Sequence, residues 1–172
     1  MVAATIVGGD VAAASPSTLS PSQSELAEST FSDHNTFQFT RIIARHSGKC
    51  LNVEGASQAD RARVIQYRCV GASNEMWRLR EVGDGYYQII ARHSGKCLNV
   101  EGASQADRAR VIQYRCVGAS NEMWRFREVS GGYYQIIARH SNKCLNVEGA
   151  SQADRAQIIQ YRCVGASNEQ WR

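Results

Sequence analysis

An all-β fold made of three equivalent units is what this 172-residue chain predicts, and three observations carry that expectation. The stretch from Ile42 to Arg78, IIARHSGKCLNVEGASQADRARVIQYRCVGASNEMWR, recurs unchanged at all 37 positions from Ile89 to Arg125. Ile136 to Arg172 repeats it with four changes, Asn142, Gln157, Ile158 and Gln170, at a period of 47 residues. Within each unit, aromatic and β-branched residues form short runs broken by Gly and polar turns, and helical spacing is poor. Three units of four strands make too few blades for a propeller, which typically has about four or more. They also lack the polar capping repeats of a solenoid. A closed threefold arrangement, with the last strand pairing back to the first, removes the exposed edges, and that is a β-trefoil.

Each element follows from its residues. In the second unit, Tyr86 to Arg92 is aromatic and β-branched and precedes the turn Ser94-Gly95. Cys97 to Glu101 is the next strand and stops at Gly102; ASQADRA, small and polar, is a loop. Val111 to Cys116 is the third strand, followed by the loop Gly118 to Asn121. Met123 to Val129 is the fourth and ends in Ser-Gly-Gly. Units are expected at about 37–83, 84–130 and 131–172, with Phe37 to Arg41 standing in for the first YYQ. Residues 1–36 differ: rich in Ser and Ala, holding both prolines (Pro16, Pro21), they predict a flexible leader or linker. VAATIV is short, lacks a basic start and makes a poor signal peptide, so any export signal is unclear in this chain.

Composition narrows the function classes. With 43% hydrophobic and 21% charged residues the chain is neither disordered throughout nor a helical membrane protein. No run of about 18 apolar residues exists, so no inserted helix is expected. The four acids of residues 1–36 face no Lys or Arg, so 20 bases and 12 acids leave residues 37–172 at +8. Seventeen of the bases are Arg, expected on a solvated exterior that attracts polyanions at long range without specific nucleic-acid recognition.

The pairs Cys50/Cys69, Cys97/Cys116 and Cys144/Cys163 are each 19 apart. Bridging within each unit is the economical connectivity, since it treats the three alike; each bridge would add roughly 3 kcal/mol in the chain-entropy model. It implies an oxidising compartment and a secreted protein. Reduced core thiols are the alternative. A zinc site at His46 and Cys50 is a poorer one, because no Cys-x-x-Cys spacing exists. No metal or cofactor is called for.

Alternation places Cys50, Asn52 and Glu54 on one face and Leu51 and Val53 on the other. Ile65, Tyr67 and Cys69 share a face of the third strand, so a bridge gathers Asn52 beside Tyr67. Leu51, Val53, Val64 and Trp77 then face the core. Gln66 conflicts with this, since alternation sends it inward, and a bulge or a backbone hydrogen bond must resolve it. The loop carrying Asn74 folds over the same spot. A phenol ring with two carboxamides suits a sugar, whose C–H face packs on an aromatic ring and whose hydroxyls both donate and accept.

The stretch GKCLNVEG…VIQYRCVGASNEMW resembles the ricin B-type lectin repeat, also called the carbohydrate-binding module family 13 repeat, across residues 37–172. The resemblance implies a β-trefoil, disulfides within each repeat and glycan partners of galactoside or xylan type. It implies carbohydrate contacts from Asn52, Asn99 and Asn146, from the stacking Tyr67, Tyr114 and Tyr161, and from Asn74, Asn121 and Asn168. Two departures stand out. The family's Asp is Asn52, Asn99 and Asn146 here, and the Gln of its Gln-x-Trp motif is Glu75, Glu122 and Glu169. Trp77, Trp124 and Trp171 are expected in the core, Glu75 in a structural role, and His46, His93 and His140 in solvent beside a turn.

The leading expectation is a monomeric, non-catalytic, multivalent carbohydrate-binding protein. A designed or duplicated scaffold without a sugar ligand is one alternative. A binding module detached from a glycoside hydrolase is another. Hydrolysis by the chain itself would need a carboxylate pair about 5–10 Å apart, for which Glu54 and Glu75 are the repeated candidates.

Overall fold

A computed structural model describes residues 38–172. The leader expected over residues 1–36 lies outside the described residues. The first repeat contributes β1 (Cys50–Val53), β2 (Val64–Tyr67) and β3 (Trp77–Gly83). The second contributes β4 (Tyr86–Ala91), β5 (Cys97–Val100), β6 (Val111–Tyr114) and β7 (Trp124–Val129). The third contributes β8 (Tyr133–Ala138), β9 (Cys144–Val147) and β10 (Ile158–Tyr161). The two remaining strands of the four-per-unit plan pair through single bridges, Thr40 with Trp77, Ile43 with Cys50 and Ala44 with Trp171. They also close the barrel. Ile43 N–H donates to the Arg172 carbonyl at 2.8 Å, and Arg172 N–H returns the bond to Ile43 at 3.0 Å. The third strand of each unit stops at Tyr67, Tyr114 or Tyr161, two residues before its cysteine, which lies in the following loop.

Period-2 alternation builds the core. Leu51, Val53, Val64 and Trp77 are fully buried, as are their copies in the other repeats. Burying each such side chain stabilises by about 1.5–3 kcal/mol. Trp77, Trp124 and Trp171 also carry an N–H that must be satisfied once buried. Each indole donates to the carbonyl of its own repeat's Leu51, Leu98 or Leu145 at 2.9 Å. All six cysteines are paired as Cys50–Cys69, Cys97–Cys116 and Cys144–Cys163, which leaves no thiolate for zinc.

Gln66 is inward and fully buried, and hydrogen bonds to a different repeat resolve the conflict. Its amide donates to the carbonyls of Ser151 and Ala153 at 2.7 and 2.8 Å, and its oxygen accepts from Ser47 at 2.8 Å. Gln113 does the same with Ser57, Ala59 and Ser94, and Gln160 with Ser104, Ala106 and Ser141. Each ASQADRA loop is therefore clamped onto the next repeat, and the three clamps run in a ring. The histidines join them rather than standing in solvent. His46 is half-buried with Nε2 2.9 Å from the Ser151 carbonyl, and His93 and His140 repeat the contact at 3.0 Å. Lysine pairs complete each seam: Lys49 with Asp154, Lys96 with Asp60 and Lys143 with Asp107, at 2.6, 2.7 and 2.5 Å.

Two of the third repeat's changes have a visible accommodation. Asn142 stands where Gly48 and Gly95 turn the chain, at φ 56°, a left-handed conformation that Asn tolerates better than other side chains. Gln170 replaces a methionine; its oxygen accepts from Arg45 at 2.5 Å and its amide donates to the Gly165 carbonyl at 2.9 Å.

Gln113→Leu strips two loop carbonyls and a hydroxyl of their partner and undoes the clamp, and is expected to destabilise by about 2–4 kcal/mol in chemical denaturation. Gln58→Ala, which loses one exposed bond to the His93 carbonyl, should change stability by less than about 1 kcal/mol. The Lys96 hydrogen bond holds Asp60 below the usual carboxylate range, and Lys143 and Lys49 do the same for Asp107 and Asp154. A depressed folded-state pKa stabilises above the unfolded value of about 3.9, and the contribution is lost as pH falls through the folded value. Thermal melts should therefore place the triple variant Asp60→Asn, Asp107→Asn, Asp154→Asn below the parent at about pH 6, with the gap closing toward about pH 2.

Candidate functional site

Each repeat builds one site from a strand pair and the loop that follows it. Antiparallel pairing sets Asn52 directly opposite Ile65 and Cys50 opposite Tyr67. Asn52 and Tyr67 thus share the face that carries the disulfide, away from the Leu51 and Trp77 core. Asn74 arrives on the one-turn segment Ser73–Glu75. Its amide donates to Asn52 Oδ1 at 3.0 Å and to the Val53 carbonyl at 2.8 Å. Asn121 binds Asn99 and Val100 in the same way, and Asn168 binds Asn146 and Val147. The expected trio is therefore brought together three times. Its carboxamides are nearly buried, at 4% exposure for Asn52 and 9% for Asn74, whereas Tyr67 is half-exposed.

The Asn74–Asn52 bond sets the polarity of what is left. It consumes an Asn74 donor and the Asn52 acceptor. Asn52 Nδ2 and Asn74 Oδ1 make no bond among the described residues and are not sealed from solvent, so one donor and one acceptor face outward. An aspartate at position 52 would present acceptors only.

These groups line a cleft of about 240 Å³. Sequence reasoning named Asn52, Tyr67 and Asn74 for it but missed Gly55, Ala56, Val70 and Arg155 on its walls. Val70 is an isolated apolar side chain at 60% exposure, matched by Val117 and Val164. Gly55 turns the chain at φ 62°, and Ala56 follows at φ 51°. Ala56 is a non-glycine residue held in the left-handed region, the kind of backbone strain that collects at functional sites. Arg155 comes from the third repeat, carried in by the clamped loop, and no signal within one repeat could have located it. A cation also lies beside the phenol: the Arg68 guanidinium sits 5.5 Å from the Tyr67 ring centre, with Arg115 and Arg162 at 5.4 Å in the other repeats.

Glu75, Glu122 and Glu169 are fully buried beneath the loop that carries Asn74, Asn121 and Asn168. Glu122 accepts from the backbone amides of Val117 and Gly118 at 2.9 and 2.5 Å and from the Gln88 side chain at 2.6 Å. Arg80 donates to Gln88 in turn, so the buried charge ends on a cation. Glu169 uses Gln135 and Arg127 likewise. In the first repeat Arg41 stands in place of that glutamine and approaches Glu75 directly at 3.5 Å. The glutamate of the altered Gln-x-Trp motif therefore positions the loop and does not face the cleft.

A family model described as the ricin-type beta-trefoil lectin domain matches residues 38–171. Among solved structures, the designed threefold-symmetric protein ThreeFoil is 53% identical over 78% of this chain and 96% of its own, with a TM-score of 0.77. An exo-β-1,3-galactanase from Clostridium thermocellum is 33% identical over 78% of this chain, with a TM-score of 0.76. The hemolytic lectin CEL-III is 28% identical over 80%, with a TM-score of 0.68. This chain spans 29% and 30% of those last two. Among curated protein sequences no match was found.

Glu122→Ala leaves the Val117 and Gly118 amides and the Gln88 side-chain N–H without their acceptor, and denaturant unfolding is expected to show a loss of about 3 kcal/mol. Glu122→Gln, which keeps an acceptor for the two amides, should cost less than half as much.

Proposed function

We propose that this chain, which belongs to the ricin-type β-trefoil lectin family, is a non-catalytic carbohydrate-binding protein with up to three shallow sugar pockets. The observation that carries this reading is the threefold recurrence of a half-exposed Tyr beside two interlocked carboxamides, each pocket keeping one donor and one acceptor open. A pyranose packs its C–H face on Tyr67, Tyr114 or Tyr161. Its hydroxyls accept from Asn52, Asn99 or Asn146 and donate to Asn74, Asn121 or Asn168. Galactoside and xylan chains are the ligand classes, and secretion as a monomer is the setting, consistent with three disulfides in an oxidising compartment. The site suits binding rather than hydrolysis. Glu75 is sealed under its loop, so Glu54, itself paired with Arg63 at 3.1 Å, has no second carboxylate from the expected pair beside the cleft.

Three pockets on one rigid body gain avidity on a multivalent glycan when spacing permits simultaneous engagement. The near-identity of the repeats and the 53% identity to a designed protein favour one other reading, a duplicated or designed scaffold with no sugar ligand. A broad glycan panel followed by calorimetric titration separates the two. Binding to a neutral galactoside or xylan supports the lectin function. Binding to no neutral glycan with the disulfides intact leaves only the scaffold. The triple variant Tyr67→Ala, Tyr114→Ala, Tyr161→Ala should weaken the neutral-glycan interaction at least about tenfold, the worth of an aromatic contact near 1.4 kcal/mol, with the melting curve read in parallel.

A further inference from the structure

The three pockets are not electrostatically equivalent, and the difference comes from the one lining residue that each borrows from a neighbouring repeat. Arg155 lines the cleft of the first repeat, held there by its backbone N–H to the Gln66 carbonyl at 2.9 Å. Arg61 makes the same bond to Gln113 beside the second pocket, and Arg108 to Gln160 beside the third. All three sit at φ 66–67°, a left-handed backbone that sterically favours glycine or asparagine over a long side chain. The ring of clamps thus holds a cation at the edge of every site.

Its availability depends on a carboxylate. In the first repeat Glu54 lines the cleft but is paired with Arg63 of its own repeat at 3.1 Å. In the second, Glu101 is paired with Arg110 at 2.8 Å. Arg155 and Arg61 form no side-chain ion pair among the described residues. In the third repeat Gln157 replaces the arginine at this position, and Glu148 instead takes Arg108 at 2.7 Å. That pairing raises the pKa of Arg108, chiefly through its hydrogen bond to Glu148. Counting these groups, the first two pockets carry one uncompensated positive charge and the third carries none. The pairs Lys49–Asp154, Lys96–Asp60 and Lys143–Asp107, and the arginine beside each tyrosine ring, recur in all three repeats and so cannot distinguish them. The neutral Asn52 and Asn99 remove the anion that an aspartate would set against an acidic ligand.

We infer that the first and second pockets recognise an anionic pyranose, a uronate whose carboxylate pairs with Arg155 or Arg61, while the third binds the sugar ring without sensing that carboxylate. This rests on the sugar-binding reading above and adds the ligand's charge and the number of sites that sense it. A charge-assisted hydrogen bond is about twice as strong as a neutral one, and at an exposed position its effect is screened by salt.

The test is a site-resolved NMR titration of the intact chain, read at the carboxamides of Asn52, Asn99 and Asn146. The probes are methyl galactopyranoside and its uronate, methyl galactopyranosiduronate, which differ only at C6. At low salt, two sites should prefer the uronate by about tenfold and the third should show no preference; the preference should shrink as salt rises past about 0.5 M. Arg61→Asn with Arg155→Asn, a replacement that tolerates the left-handed backbone, should bring the uronate-to-neutral ratio to about one at both sites. Glu148→Gln should release Arg108 and create a third uronate-preferring site. Equal affinity for the two sugars at every site, or a preference that survives the double arginine variant, overturns this inference while the neutral-sugar function stands. Failure of both sugars to bind also overturns this inference, and the sugar-binding function falls with it only when the neutral-glycan panel is blank as well.

Discussion

A buried glutamine carboxamide that reaches from one repeat to two backbone carbonyls of another is the interaction on which the rest of the molecule depends. Gln66, Gln113 and Gln160 each tie down a loop distant in sequence; Gln66 alone spans 85 and 87 residues. Without that partner the ASQADRA loop would leave carbonyls unsatisfied at the edge of the barrel, and the glutamine would be an unpaired polar group in the core. Because the contacts form a ring, each repeat both gives a loop and receives one. Threefold closure is therefore a hydrogen-bond condition as well as a packing one.

The sites inherit their form from this ring. The disulfide and strand register set Tyr67 beside Asn52, and the buried Glu75 fixes the loop that brings Asn74 onto Asn52. The last wall arrives from the neighbouring repeat on the clamped loop. A cleft built this way presents few polar atoms and is held in shape by the buried Glu75 and Gln66 behind it. The change from Gln to Glu in the Gln-x-Trp motif fits the same logic. A carboxylate gathers two backbone amides and a neighbouring side-chain amide, and an arginine behind that amide offsets its charge.

Much of the fold was legible because local chemistry fixes it. Leu51, Val53 and Val64 alternate with polar residues at the strand period, each Trp has its acceptor within its own repeat, and the 47-residue spacing forces the threefold count. The Tyr–Asn–Asn cluster was legible for the same reason, since a single repeat contains all of it. What the sequence concealed lies across repeat boundaries. Gln66 looked like an error of alternation because its partners follow it by more than 80 residues. His46 looked solvated because the carbonyl it meets belongs to Ser151. Arg155 could be assigned to a cleft only once the cyclic order of the repeats was known.

The central claim is that a sugar is held on the outer wall by one repeat's tyrosine and paired asparagines, with the neighbouring repeat closing the cleft. A crystal structure of the chain with methyl galactopyranoside bound addresses it most directly. The account predicts the pyranose lying on the Tyr67, Tyr114 or Tyr161 ring, its hydroxyls on Asn52 Nδ2 and Asn74 Oδ1 or their equivalents, and the borrowed arginine at its edge. A sugar seated elsewhere on the barrel, or one that leaves the tyrosines and the clamped loops untouched, would contradict it.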